Sequence, residues 1–314
     1  MSSPHTLAPT ASLTNPLAVL MVDGGERVGF GHVGRCLAIW EELGGRAVFD
    51  VEDAGIVRVL TSLGAPVSAA HTSAPVALID RRAPTSAAEV QRLHARGQRV
   101  CLLDDPGAGR LSAELVVDPP TGTSWPPSGG RRLAGFEHVL LRRDIRAAAR
   151  MGSRNVSVLL AMGGSDPEGL TPALAAALNT AGLAVTSVLG PAYHGPRPSG
   201  EVLADPRDWP GALASAGLLV SRFGHTLLEA AHLGTPALAV AVGEHALQDA
   251  RAFAGHGTAQ AIGVAGHGDA ACVAERVLAL REDPTLLASM SARGRELVDG
   301  LGTARVAAAL EELA

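Results

Sequence analysis

Short, wholly apolar runs alternate with longer stretches whose apolar residues recur every three or four positions, and this alternation is what most restricts the fold of the chain. Leu17–Val22, Arg46–Val51, Val76–Asp80, Arg99–Leu103 and Glu114–Val117 have strand length, while Gly31–Leu43, Val51–Leu63 and Ser86–Ala95 between them carry helical spacing. Strands that are apolar on both faces and separated by helices belong in a parallel sheet covered on both sides. The rhythm breaks at the Pro/Gly-rich Pro119–Gly130 and the basic, Ala-rich Arg142–Arg150, then resumes at Val156–Ala161. Ala184–Leu189, Gly217–Val220 and Ala237–Val242 read as further strands. Pro167–Thr180, Thr226–Leu233, Ala246–Gly255 and Ala270–Arg281 read as helices, and Thr285–Val298 and Thr303–Ala314 as the closing pair.

The chain has 314 residues, more than one ordinary core needs, so two tandem doubly wound α/β domains are expected. The boundary belongs near residues 146–155, giving a leader over 1–15, an N-terminal Rossmann-like domain over 16–148 and a C-terminal one over 149–314. The leader has neither the basic n-region nor the apolar h-region of a signal peptide. No apolar run reaches the roughly 18 residues that span a bilayer, so a cytoplasmic protein without stable membrane association is expected. Net charge is −5 and the arginines are scattered, which excludes the electrostatic footprint of nucleic-acid binding. Three cysteines, Cys36, Cys101 and Cys272, sit far apart in apolar sequence and read as buried thiols; no metal spacing and no cofactor motif accompanies them.

In open α/β sheets ligands bind beyond the carboxyl ends of the strands, so the loops there carry the candidates. The first, Asp23 to Gly34, holds Gly29, Gly31, His32 and Arg35 ahead of a helix. Its glycines allow close backbone approach and the helix start offers free N–H groups to an anion, but it lacks the dinucleotide and Walker spacings. His32 and Arg35, three apart, can project into one crevice. A neutral imidazole accepts a proton at cytosolic pH and can activate water, and Asp23 either orients it or serves as a turn aspartate.

The second loop, Gly163-Gly164-Ser165-Asp166-Pro167, reads equally as a helix start with Pro at its first position and as an anion cradle. The third, Gly224, His225, Thr226 and Glu229, places a carboxylate inside an otherwise apolar helix, either on a solvated face or where a ligand's hydroxyls would meet it. Asp80 with Arg81 and Arg82, and Asp104 with Asp105, follow two further strands. The adjacent acids are a metal pair or, as the better reading without a third ligand, loop caps.

Taken in order, these loops resemble the PseG-like nucleotide-sugar hydrolases, typified by UDP-2,4-diacetamido-2,4,6-trideoxy-β-L-altrose hydrolase, relatives of the MurG-type glycosyltransferases of GT-B fold. The motif D-x-x-x-x-x-G-x-G-H-x-x-R is met by Asp23, Gly29, Gly31, His32 and Arg35. Leu78-Ile79-Asp80, Leu103-Asp104-Asp105, Gly135-Phe136 with Arg142, Gly163–Pro167 and G-x-T-x-x-E at Gly224, Thr226 and Glu229 follow in order, over roughly residues 17–260. The resemblance implies two Rossmann-like domains facing a cleft and a metal-independent hydrolase without cofactor. In it UDP lies against the second domain with its ribose at Glu229, and His32 activates water for inverting cleavage at the anomeric carbon.

Substrate contacts are then expected at Gly29, Gly31, Arg35, Asp80, Arg82, Asp105, His138, Gly163, Gly164, Ser165, Gly224, His225, Thr226 and Glu229, with His32 and Asp23 catalytic. The chain departs from the family at Met21, where Arg is frequent, at Arg81-Arg82, at His138 and at His245-Ala246. The alternatives are an inverting glycosyltransferase that uses the same base with an acceptor hydroxyl, and a non-catalytic nucleotide-sugar binding protein.

Overall fold

The computed structural model describes residues 15–25, 30–68, 74–120, 125–148, 157–206 and 208–314. Residues 1–14 of the expected leader, Gly29 and most of the expected domain boundary lie outside them. The described chain packs as two compact units.

The first unit contains β1 (Ala18–Val22), α1 (Gly31–Glu42), β2 (Ala47–Asp50), α2 (Ala54–Ser62), β3 (Val76–Asp80), α3 (Ala87–Ala95), β4 (Arg99–Leu103), β5 (Leu115–Asp118) and β6 (Arg131–Ala134). Its strands form one parallel sheet ordered β2-β1-β3-β4-β5-β6. Alternate side chains of β1 and β3 serve different clusters. Leu20 and Leu78 join Cys36 and Ile39 of α1, whereas Met21 and Ile79 join Val90 and Leu93 of α3. That two-sided burial is why these strands read as continuous apolar runs.

The second unit begins with α4 (Arg143–Ala148), β7 (Val158–Ala161), α5 (Thr171–Thr180), β8 (Val185–Leu189), β9 (Glu201–Ala204) and α6 (Trp209–Ser215). It continues through β10 (Leu218–Arg222), α7 (His225–Leu233), β11 (Ala237–Val242), α8 (Glu244–Ala254), β12 (Ala259–Val264), α9 (Ala270–Arg281) and α10 (Pro284–Leu297). Its parallel sheet runs β12-β11-β10-β7-β8-β9. Both units are therefore Rossmann-like, each with a point where the strand order reverses: between β1 and β3 in the first, and between β7 and β10 in the second.

Two expectations are corrected. The last helix, α11 (Gly302–Leu313), belongs to the first unit and not to a continuous 149–314 domain. Val306, Ala307, Ala309 and Leu310 are buried in the α1 and β1 cluster, and the Thr303 hydroxyl both accepts from Leu141 N and donates to Leu141 O. A Cβ on Gly302 would lie 2.3 Å from Val139 O, so only glycine admits this approach. Second, Cys272 is exposed on α9, whereas Cys36 and Cys101 are buried as expected.

The placement of α11 predicts that Leu310→Ala, at a site with no solvent exposure, lowers stability by about 2–5 kcal/mol. Chemical denaturation should report the loss in the transition that carries the first unit's core.

Candidate functional site

At the reversal point of the first unit the sequence places a carboxylate where none can be solvated. Asp80 closes β3 with no exposure, on the face covered by α1. Two residues of α1, one turn apart, meet it. His32 Nδ1 lies 2.6 Å from Asp80 Oδ1, and Arg35 donates from Nε to Oδ2 at 3.0 Å and from Nη2 to Oδ1 at 2.7 Å. The remaining arm, Nη1, donates to Asp104 Oδ2 at 2.8 Å. Spacing i, i+3 puts His32 and Arg35 on one helix face, which is the juxtaposition anticipated for them.

Burial opposes ionisation of Asp80. The Arg35 guanidinium and the hydrogen bonds from His32 and Arg35 outweigh it and hold the carboxyl below its ordinary value. An ionised Asp80 only accepts, so the ring presents Nδ1–H to it and leaves the Nε2 lone pair for a proton from outside. Arg35 Nη2 lies 3.0 Å from Nδ1 because both donate to the same oxygen. Asp104 behaves oppositely. Its burial raises its pKa more than its share of Arg35 lowers it. The Cys36 thiol, 3.9 Å from Asp80, is pushed well up by burial and by that carboxylate, so it is no nucleophile.

Several expected residues sit elsewhere. Asp23 does not orient His32; its Oδ2 accepts from the backbone N of Arg82, tying the β1 end to the turn after β3. Asp105 is fully buried and binds Thr85 N and Gly107 N, a loop tie, while its neighbour Asp104 has φ 55° and turns its carboxylate to Arg35. The adjacent acids thus point to different partners, and among the described residues no group of three metal-binding side chains forms. His138 follows β6, an edge strand three places from β3, and its Nδ1 meets Ala134 O at 2.9 Å. Arg81 pairs with Glu89 at 3.0 Å, Arg82 is exposed, and Gly31 opens α1 with open space beside it.

At the reversal point of the second unit, β7 and β10 are locked by Ser221 Oγ donating to Ala161 O at 2.6 Å. Gly163, Gly164 and Ser165 follow β7, and Gly163 needs its positive φ of 93°. The helix does not start at Pro167. Asp166, at φ 44°, accepts from Leu170 N and Thr171 N and caps α5 five residues on, so the glycines form a separate turn. Gly224 caps α7 without a side-chain hydrogen bond, and His225 and Thr226 occupy the first turn. Glu229 is 6% exposed, which rules out a solvated face; Trp209 Nε1 donates to its Oε2 at 2.9 Å. His245 is exposed at the start of α8, next to half-buried Ala246. Sequence reasoning gave no role to Trp209, or to Arg222, which ends β10 two residues before Gly224 within the third loop.

No family model matches the chain. The spore coat polysaccharide biosynthesis protein SpsG of Bacillus subtilis is 27% identical over 193 residues, which are 57% of this chain and 54% of that protein. The chain thus spans about half the length of its curated relative. MurG of Acinetobacter baumannii superposes with a TM-score of 0.62 at 15% identity, over 95% of this chain and 100% of that one. HepE of Anabaena in complex with UDP-glucose gives 0.61 at 15% identity, over 94% and 98%.

The fold is GT-B-like.

Within this GT-B-like chain no helix of the described residues is long and apolar enough to cross a membrane. The network around Asp80 sets a pH dependence. A carboxyl whose folded pKa is lowered stabilises fully above its unfolded value, near 3.9, and that stabilisation is lost as pH falls through the folded value. Asp80→Asn leaves Arg35 with Asp104 alone and should destabilise by about 3 kcal/mol at pH 7. The gap to the wild type should close as the unfolding series is taken to acid pH.

Proposed function

We propose that the chain is a nucleotide-sugar-using enzyme of GT-B type that transfers a glycosyl group to an acceptor hydroxyl in polysaccharide or glycan assembly. The observation that carries the reading is the His32–Asp80 pair at the reversal point of the first sheet, 2.6 Å apart, with Nε2 unengaged among the described residues. A base oriented in this way is what direct displacement at an anomeric carbon requires. His32 Nε2 takes the acceptor proton as the hydroxyl oxygen attacks, and the C–O bond breaks with its electron pair passing to the nucleotide's diphosphate. Asp80 acts on the ring and not on the substrate, so it is a positioning residue, and Arg35 holds it ionised.

The second unit serves the nucleotide. Glu229, oriented by the Trp209 indole, presents a carboxylate of the kind that accepts from ribose hydroxyls. The turn at Gly163 and Gly164 and the N-terminus of α7 offer backbone N–H groups to phosphates. Support for a nucleotide sugar comes from the likeness to HepE bound to UDP-glucose. Support for glycan assembly comes from the likeness to SpsG. The likeness in fold to the spinosyn forosaminyltransferase SpnP supports transfer over hydrolysis.

The hydrolase reading keeps one specific support, the G-x-G-H-x-x-R spacing, and differs only in placing water where the acceptor would be. Incubation with a panel of UDP-, GDP-, CMP- and dTDP-sugars in ¹⁸O-water, with and without acceptor alcohols, separates the two by mass spectrometry. Transfer predicts turnover that needs an acceptor and a product free of label; label in a released sugar would establish hydrolysis instead. In either regime His32→Gln should lower kcat by about 10²–10⁴-fold while calorimetric UDP affinity stays near wild type. Glu229→Gln should show the reverse pattern, with weakened nucleotide binding.

A further inference from the structure

We infer that Arg222 is a diphosphate-binding cation that exchanges its Glu168 partner for the nucleotide's diphosphate; the inference rests on the nucleotide-sugar reading above. Arg222 is the last residue of β10, the strand that flanks the reversal point opposite β7. The lock between Ser221 and Ala161 fixes the two strand ends side by side, so the residue after Ser221 emerges beside the turn after Ala161. A Cβ built on Gly163 would lie 3.7 Å from Arg222 Cδ, and this places the arginine's aliphatic stem against the glycine turn.

The guanidinium is half-exposed and pairs through Nη2 with Glu168 Oε1 at 3.3 Å, and Glu168 is itself partly exposed. Both the distance and the exposure mark a weak pair. A half-exposed pair of this kind contributes little, whereas charge-assisted hydrogen bonds to a diphosphate are the stronger kind, frequently made by both arms of a guanidinium. Glu168 lies in the turn between Pro167 and α5, on the same loop as Gly163 and Gly164. One loop therefore supplies both the backbone donors for an anion and the carboxylate that pairs with the cation.

In the reaction the breaking anomeric C–O bond delivers its electron pair to the diphosphate oxygen, and negative charge grows on the leaving nucleotide. A guanidinium already on the diphosphate gains attraction as that charge develops, so it favours bond breaking beyond ground-state binding. Glu168 then recovers Arg222 when the nucleotide departs, which keeps product affinity in check.

The test is calorimetric titration of UDP and of uridine into the full-length wild type, Arg222→Gln and Glu168→Gln. Arg222→Gln should weaken UDP about tenfold or more and leave uridine unchanged. Glu168→Gln should tighten UDP, a gain that damage to the fold would not produce. Equal UDP affinity in wild type and Arg222→Gln overturns the inference while leaving the nucleotide reading intact. Parallel loss of UDP and uridine in Arg222→Gln also overturns it, because the lost contact would then not be to phosphate. A wild type that binds neither ligand sinks the nucleotide reading and this inference together.

Discussion

Everything at the first unit's candidate site depends on keeping Asp80 ionised in a place without water. A lone carboxylate there would take up a proton sooner than bear the desolvation. The fold prevents this with Arg35, whose two parallel donors match the carboxylate edge and leave a third arm for Asp104. His32 then meets an acceptor that cannot donate, and its tautomer follows. The histidine's chemistry is thus set by an arginine that need not touch substrate, and the arginine's position is set by helical periodicity in α1.

The second unit uses the same sheet geometry with different contents. Its reversal point carries glycines, a helix N-terminus and a half-exposed ion pair where the first carries a buried charged network. The contrast fits the division of labour proposed here. A proton acceptor needs one orientation, and burial enforces it. An anion site needs donors that can give up their resting partners, and exposure makes that inexpensive.

Legibility followed burial. The central strands and most helices were readable because parallel strands covered on both faces are apolar throughout. The three strands that escaped notice, β6, β9 and β12, all lie at sheet edges, where polar and charged residues break the run, as Arg131-Arg132 do in β6. The return of α11 to the first unit was invisible because amphipathic spacing names a buried face and not the surface that buries it. At the candidate site, helical spacing put His32 and Arg35 on one face and the family resemblance singled out Asp80, but partner choice was not readable. Asp23 stands nearer His32 in sequence than Asp80 does, yet strand order brings the β3 end beside β1 and leaves Asp23 to a backbone amide. Between Asp104 and Asp105, the left-handed backbone at Asp104 decided which side chain faces Arg35.

That last detail gives the network an order of protonation. Arg35 serves two carboxylates unequally: Asp80 takes two of its donors and a third bond from His32, while Asp104 takes one. The two consequently shift in opposite directions, Asp104 up and Asp80 down. As pH falls, Asp104 accepts a proton first, and the guanidinium is left wholly to Asp80, whose ionised form it then favours more. The carboxylate that orients the His32 ring is therefore the last of the pair to take up a proton. Asp104 takes the first proton on behalf of Asp80, and the orientation of the ring outlasts the integrity of the network around it.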